Sequence, residues 1–311
     1  MERRAFIKTT GAAIAATHIM SGFGARLFAG TGAAGIGMCD WNLGGACKPE
    51  LIPKAHEIGL QGIQVSVATD PDNVALRAPA VRRRYLELGK KHQIVFHSVA
   101  AGGILNKIPL ASEPESAVYV IDAIEAAAAL GASNILTAFF GKGDLRYKDE
   151  NGKPVNLNDN GFSSYRLKEK DVDRVVAVMK QIAPRAEDVG VIIGLENTLT
   201  AKQNLEIIDL IGSKMVQVYY DIGNSTGNGY DVPGELRLLG NHRICEVHIK
   251  DRKTPVYDGK SGEVDMPACA KALADIEFDK WLVLETRGRK DMFEADTRSN
   301  IAFVRQTFTM A

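Results

Sequence analysis

The chain has 311 residues, 45% of them hydrophobic, with 38 basic against 38 acidic side chains. That is enough for one domain of barrel size with a substantial core. A formal net charge of zero gives no general attraction to nucleic acid or to an anionic membrane surface, and local clusters such as Arg82-Arg83-Arg84 read as the solvated face of a helix.

Residues 1–30 read as a twin-arginine-type export signal and 31–311 as the folded domain. Arg3-Arg4 and Phe6-Ile7-Lys8 precede a mild, Gly/Ala-rich apolar run from Thr9 to about Phe23, and Leu27-Phe28-Ala29 ends in a small residue suited to signal peptidase. The run is too short for a comfortable membrane span. The expectation is therefore a periplasmic or otherwise exported protein without a stable membrane anchor. In an oxidising compartment Cys39, Cys47, Cys245 and Cys269 allow three pairings, which the sequence leaves open, and their spacing matches no zinc motif.

Beyond the signal, strand-like and helix-like runs alternate. GIGMCDWNL (35–43) predicts the first strand, 49–58 a helix, GIQVSV (62–67) the second strand, 75–91 a basic helix and IVFHSVA (94–100) the third strand. Ser112 and Glu115 have capping-box spacing, which predicts that the Ala-rich helix ending at Gly131 begins there. NILTAFF (134–140) is the fourth strand. Gly141 to Arg166 is long and polar for a connection and is a candidate lid over a site. An amphipathic helix over 168–189 leads into VIIGLEN, followed by a helix over 203–212, the strand VQVYYDIGN, a short helix over 233–239 and the strand ICEVHIKD. A helix over 266–276, the strand WLVLET (281–286) and a closing helix over 291–308 complete the chain. Eight such alternations suit an α/β fold, a single eight-stranded parallel (β/α)8 TIM barrel. No glycine fingerprint of a nucleotide-binding fold is present.

Four successive strand-like runs end in an ionisable side chain: Glu196, Asp221, His248 and Glu285. In a parallel barrel all strands end at one face, so these four meet. Three carboxylates and an imidazole form a hard, oxygen-rich set for one divalent ion, with Mn, Mg, Co and Zn all suitable and a structural zinc site disfavoured by the lack of thiolate.

The segments GLEN, YYDIGN, VHIKD and GEVDM through WLVLE resemble the xylose-isomerase-like TIM barrel superfamily of sugar isomerases and epimerases, from about Gly35 to the C-terminus. The resemblance implies that Glu196, Asp221, His248 and Glu285 are metal ligands and that Glu196 and Glu285 also abstract and return a proton. His97 either matches a substrate-facing position or is a histidine satisfied within the barrel top. Asn224 stands where ketose epimerases commonly carry His, and the chain lacks the histidines that a multi-zinc endonuclease site requires. Lys250 and Asp251 are expected either to bind substrate hydroxyls or to orient His248, and Arg287 either to meet an anionic group or to pin Glu285. The expected function is a secreted, metal-dependent sugar isomerase or epimerase working through an enediolate. A lyase or hydrolase of 3-keto glycosides is the enzymatic alternative, and a noncatalytic carbohydrate-binding barrel is the alternative of another class. The sequence leaves a homo-oligomer open.

Overall fold

The computed structural model describes residues 35–157, 164–258, 261–286, 288–289 and 291–308. Residues 1–30, expected to be an export signal, and Arg287 lie outside them. Eight parallel strands close on themselves in chain order: β1 (Ile36–Cys39), β2 (Gly62–Ser66), β3 (Val95–Ala100), β4 (Asn134–Ala138), β5 (Ile192–Glu196), β6 (Val216–Asp221), β7 (Ile244–Ile249) and β8 (Leu282–Leu284). Each is followed by a principal helix: α1 (Ile52–Glu57), α2 (Pro79–His92), α3 (Ala117–Leu130), α4 (Glu169–Val189), α5 (Ala201–Ile211), α6 (Val232–Leu239), α7 (Met266–Asp275) and α8 (Phe293–Phe308). The fold is the (β/α)8 barrel that the alternation predicts. No helix among the described residues is long and apolar enough to cross a membrane.

The outward faces of the strands and the inward faces of the helices share one large apolar core, including Ile63, Ile135, Ile193, Val247 and Leu284, all nearly fully buried. The barrel interior differs. A small separate cluster of Ala100, Leu136, Ala138, Tyr219 and Cys245 shares it with buried Gln64, His97, Asn134, Glu196, Asp221, Glu246 and His248. Branched aliphatic layers are usual there; here polar side chains replace much of them. Two irregularities re-aim these residues. The β2–β3 register moves from Ile63↔Phe96 to Gln64↔Ser98, making His97 the extra residue. The β6–β7 register moves from Val218↔Ile244 to Tyr219↔Glu246, making Cys245 the extra residue. An extra residue on one strand bends it and redirects its side chains.

Three boundaries differ from the sequence reading. The first strand stops at Cys39 because Asp40–Leu43 forms a helical turn, with the buried Asp40 carboxylate accepting from Ser66 N at 2.8 Å and Ser66 Oγ at 2.7 Å. β8 is only three residues long, although Glu285 N still donates to Ile249 O at 3.1 Å and so continues the strand's path. The Ser112 capping box does not form: Pro114–Ser116 is a 3₁₀ turn, Ser112 Oγ turns back to Pro109 O, and α3 starts at Ala117. A capping box does open α5, where Thr200 accepts from Gln203 N and the Gln203 side chain reaches back to Thr200 N. All four cysteines are free thiols.

Candidate active site

Because every strand of a parallel barrel points the same way, residues at adjacent strand ends converge. Glu196 ends β5, Asp221 ends β6, His248 lies one residue before the end of β7, and Glu285 follows β8. Each offers one ligand atom, and these atoms all lie within 4.8 Å of one another. His248 Nδ1 is 3.1 Å from Glu196 Oε1, 3.5 Å from Glu285 Oε2 and 3.9 Å from Asp221 Oδ2. Lys250 Nζ lies 2.7 Å from Asp221 Oδ2 and 2.6 Å from Glu285 Oε2. Asp221 does two things at once. Its Oδ1 caps the short helix Ile222–Gly227 by accepting from Asn224 N at 2.8 Å. Its buried Oδ2 faces the Lys250 ammonium at 2.7 Å, which Glu285 shares.

The electrostatics of this cluster favour added positive charge. Burial raises the Asp221 carboxyl; Lys250 opposes that, Glu285 and Glu196 reinforce it, and the group is pushed up to about 7. Burial works against the charged form of His248, but the Glu196, Glu285 and Asp221 carboxylates outweigh it and push the imidazole up to about 9. Burial also raises Glu285, while His248 and Lys250 overcome it and hold the carboxyl below its ordinary range. Lys250 is held above its ordinary range: the carboxylates outweigh its burial, so it stays an ammonium. Three converging carboxylates that share a single ammonium, and an imidazole nitrogen facing them, fit a divalent cation of the hard or borderline class.

A sequence pattern described as the xylose isomerase-like TIM barrel matches residues 52–307. The chain belongs to this family. The crystal structure of a D-psicose 3-epimerase in the presence of D-fructose superposes with a TM-score of 0.68 at 16% identity, covering 88% of this chain and 99% of that one. A 3-keto-D-glucoside 4-epimerase from E. coli in its apo form gives 0.67 at 16%, with 88% and 100% covered. The IolI protein with a bound zinc atom gives 0.64 at 15%, with 89% and 98% covered. At these identities the likeness is one of fold. Among curated proteins, the uncharacterized protein MJ1311 of Methanocaldococcus jannaschii is 27% identical over 135 residues, an alignment spanning 39% of this chain and 45% of that protein.

Below the acidic cluster, this xylose isomerase-like barrel carries a second polar layer that the sequence reading missed. His248 Nε2 is 3.1 Å from Gln64 Oε1, Gln64 Nε2 donates to Tyr219 Oη at 2.8 Å, and the Tyr219 hydroxyl donates to Glu246 Oε2 at 2.6 Å. Glu246 also accepts from Asn134 Nδ2 at 2.9 Å and lies 3.0 Å from His97 Nδ1. Burial raises the Glu246 carboxyl, but the His97 ring and the hydrogen bonds from His97, Tyr219 and Asn134 outweigh it and hold the group below its ordinary range. The missed signal was the i, i+2 spacing of Glu246 and His248, which puts both on one face of β7.

His97 was expected either to face substrate from the end of β3 or to sit satisfied within the barrel top. It is instead the third residue of that strand, with a fully buried side chain. Its ring stacks on Trp281 at 4.7 Å between centroids, and its Nε2 packs where Gly37 has no side chain: a Cβ there would lie 2.3 Å away. Placed among Glu246, Trp281 and Gly37, it is a plug in the lower barrel.

A cavity of about 530 Å³ opens beside the acidic cluster, with Trp41, Asn224, Lys250, Arg252, Glu285 and Arg289 among its walls. Lys250 and Glu285 belong to both cavity and cluster. Asp251 also lines it, but its two oxygens accept from the backbone amides of Lys253 and Val264, at 3.2 and 3.1 Å, so it shapes the loop after β7. Trp41 is a further residue that the sequence reading passed over. It stands edge-on to His248 at 6.4 Å and presents an exposed ring to the cavity.

The candidate lid is described at 141–157 and 164–166, residues 158–163 lying outside the described residues, and these parts are tied down on the side of β4 to β6. Antiparallel bridges join Arg146 to Leu167, Lys148 to Pro154 and Asn156 to Tyr165. The buried Asp144–Arg146 pair is fixed by Thr198 Oγ1 at 3.0 Å and Asn228 Oδ1 at 2.9 Å.

Proposed function

We propose that this protein is a divalent-metal-dependent enzyme that isomerises or epimerises a sugar by moving a proton next to a carbonyl. The observation that carries this reading is the convergence of Glu196, Asp221, His248 and Glu285 within 4.8 Å at the edge of a cavity of about 530 Å³. Those four side chains would hold the ion, be it Mn, Mg, Co or Zn. Bound there, it supplies polarisation of a carbonyl and its neighbouring oxygen.

The remaining steps belong to the chain's own residues. Glu196 and Glu285 stand at opposite ends of the four-residue arc, at β5 and β8, with Asp221 and His248 between them. One carboxylate takes the proton from the carbon beside the carbonyl, and the other returns it. Such general acid–base transfer typically contributes about 10² to 10⁴-fold. Lys250, a persistent ammonium shared with Asp221 and Glu285, donates toward negative charge developing on the substrate oxygen. Trp41 offers an apolar wall to the C–H face of a sugar ring, and Asn224 offers an amide to a hydroxyl.

Similarity to a 3-keto-D-glucoside 4-epimerase brings in 3-keto glycosides as a substrate class, and on these a second reading within the same chemistry is elimination or hydrolysis. It shares the proton-abstraction step and differs in releasing a smaller or unsaturated sugar. Delivery outside the cytoplasm, as Arg3-Arg4 and the run after it suggest, would select free or oxidised carbohydrates over phosphorylated ones.

The test is NMR of substrate carbons in deuterated buffer across a panel of free and 3-keto sugars. Metal-loaded protein is expected to introduce deuterium at a carbon next to a carbonyl. Absence of exchange on every sugar, together with sugar binding that is indifferent to chelator, would replace the enzyme with a noncatalytic binding barrel.

A further inference from the structure

We propose that Gln64, Tyr219 and Glu246 are positioning residues that fix the tautomer of His248, so that its Nδ1 presents a lone pair to the acidic cluster. The inference rests on reading that cluster as a metal centre. It follows from counting donors and acceptors along one buried chain.

Glu246 is fully buried and receives donors on both oxygens: Asn134 Nδ2 at 2.9 Å on Oε1, and the Tyr219 hydroxyl at 2.6 Å on Oε2, with His97 Nδ1 3.1 and 3.0 Å from the two. A carboxylate so surrounded only accepts. The Tyr219 O–H must therefore point at Glu246, which leaves the phenolic oxygen to accept from Gln64 Nε2 at 2.8 Å. With its amide nitrogen committed, Gln64 can turn only Oε1 toward His248 Nε2, 3.1 Å away. The Cys39 thiol donates to that same Oε1 at 3.2 Å and reinforces its orientation. Cys39 Sγ also lies 3.5 Å from Nε2, but with its proton on Gln64 Oε1 it too can only accept there; since an amide oxygen cannot donate, Nε2 carries the proton. Nδ1 is then the nitrogen left to the acidic cluster, 3.1 Å from Glu196 Oε1 and 3.5 Å from Glu285 Oε2: without metal it donates to Glu196, and on metal binding it is the one that gives up its proton and offers a lone pair. Partners on the far nitrogen of a ligating imidazole commonly set its tautomer and basicity, and losing them costs about 10- to 100-fold in metal affinity.

The parent protein supplies the first test. In zinc-loaded protein labelled with ¹⁵N-histidine, His248 should show a protonated Nε2 and a zinc-shifted Nδ1. Zinc on Nε2 with a proton on Nδ1 overturns the proposal, and a parent that takes up no zinc at His248 overturns both this proposal and the metal-site reading. The second test uses zinc affinity measured by chelator competition. Gln64→Met should weaken binding about 10- to 100-fold, whereas Gln64→Glu, which keeps an acceptor facing Nε2, should stay near the parent. Tyr219→Phe frees the Gln64 amide to rotate and should weaken zinc binding in the parent. In the Gln64→Glu background, where both side-chain oxygens accept whichever way the group turns, the same substitution should have little effect. A merely structural role for Tyr219 would give the same loss in both backgrounds, and that result overturns the proposal.

Discussion

One barrel holds two buried histidine–carboxylate clusters, and they are opposites. In the lower one a single carboxylate, Glu246, is met by Asn134, Tyr219 and His97, so that both of its oxygens accept. In the upper one three carboxylates surround one imidazole and one ammonium, and Asp221 and Glu285 draw on the same Lys250 nitrogen. Burial of charge is common to both, so burial alone does not mark a functional site. What separates them is the surplus of acceptors. A lone carboxylate met on both oxygens is held by its own donors; a surplus of carboxylates leaves negative charge that the proposed cation would neutralise.

The largest effect should come from unbalancing the lower cluster. His97→Leu removes one partner of a fully buried pair, a change that typically costs about 3–5 kcal/mol, and chemical denaturation should show this loss with or without added metal. Asp221→Asn is the counterpart above. It keeps the oxygen that caps Ile222–Gly227 and removes a carboxylate whose ionisation the fold opposes. Chelated protein carrying it should be at least as stable as chelated parent at pH 8, while divalent-metal binding falls sharply. Equal stability losses for the two variants would erase the distinction between the clusters.

Next in size is catalysis. Glu196→Gln and Glu285→Gln should each lower turnover by at least about 10²-fold, the loss expected for a missing general base, with a more modest fall in metal affinity. The variant at the abstracting residue should also lose solvent exchange into substrate; the other should keep exchange without forming product. Near-parental turnover in both would remove the proton-transfer role from these residues.

A pH effect should follow from the same surplus. Without metal, the folded protein favours protonated His248, raised from 6.5 to about 9, and neutral Asp221, raised from 3.8 to about 7. The His248 contribution to stability is fully present below pH 6.5 and lost as pH rises through 9. That of Asp221 is present below pH 3.8 and lost as pH rises through 7. Both run in the same direction, and bound metal requires the deprotonated forms. The gap in melting temperature between metal-loaded and chelated protein should therefore widen from pH 6.5 toward 9. A constant gap would mean that these two groups do not take part in binding. The smallest effect concerns the loop from Gly141 to Arg166. Amides around its Arg146 and Tyr165 bridges should exchange more slowly when a confirmed substrate is bound, and unchanged exchange would make the loop a fixed wall.

The convergence of the four strand-end side chains was legible because a charge that abruptly stops an apolar run leaves a strong mark at the barrel mouth. The alternating strands and helices made the barrel legible for a similar reason. The lower cluster was hidden by depth. His97 and Glu246 are each the third residue of a six-residue strand, roughly 10 Å below its C-terminal end at about 3.3 Å per residue, and a mid-strand polar residue gives no hint of its partners on other strands. Pairing Gln64 with His248 requires the closure of β1 through β8, which no local pattern encodes. The start of α3 was misread because Pro114 directs the chain into a 3₁₀ turn before the helix, whereas the Thr200 and Gln203 box, with no proline to interrupt it, has the expected geometry.

The two tryptophans of the chain give the barrel an optical readout at each end. Trp41 borders the cavity beside His248, and Trp281 stacks on His97 beneath it. Cobalt or copper held by the acidic cluster should quench the emission of Trp41 more strongly than that of Trp281. In Trp41→Phe, what emission remains would report only the lower barrel, so a single fluorescence titration on parent and variant can follow metal entry and global unfolding as separate signals.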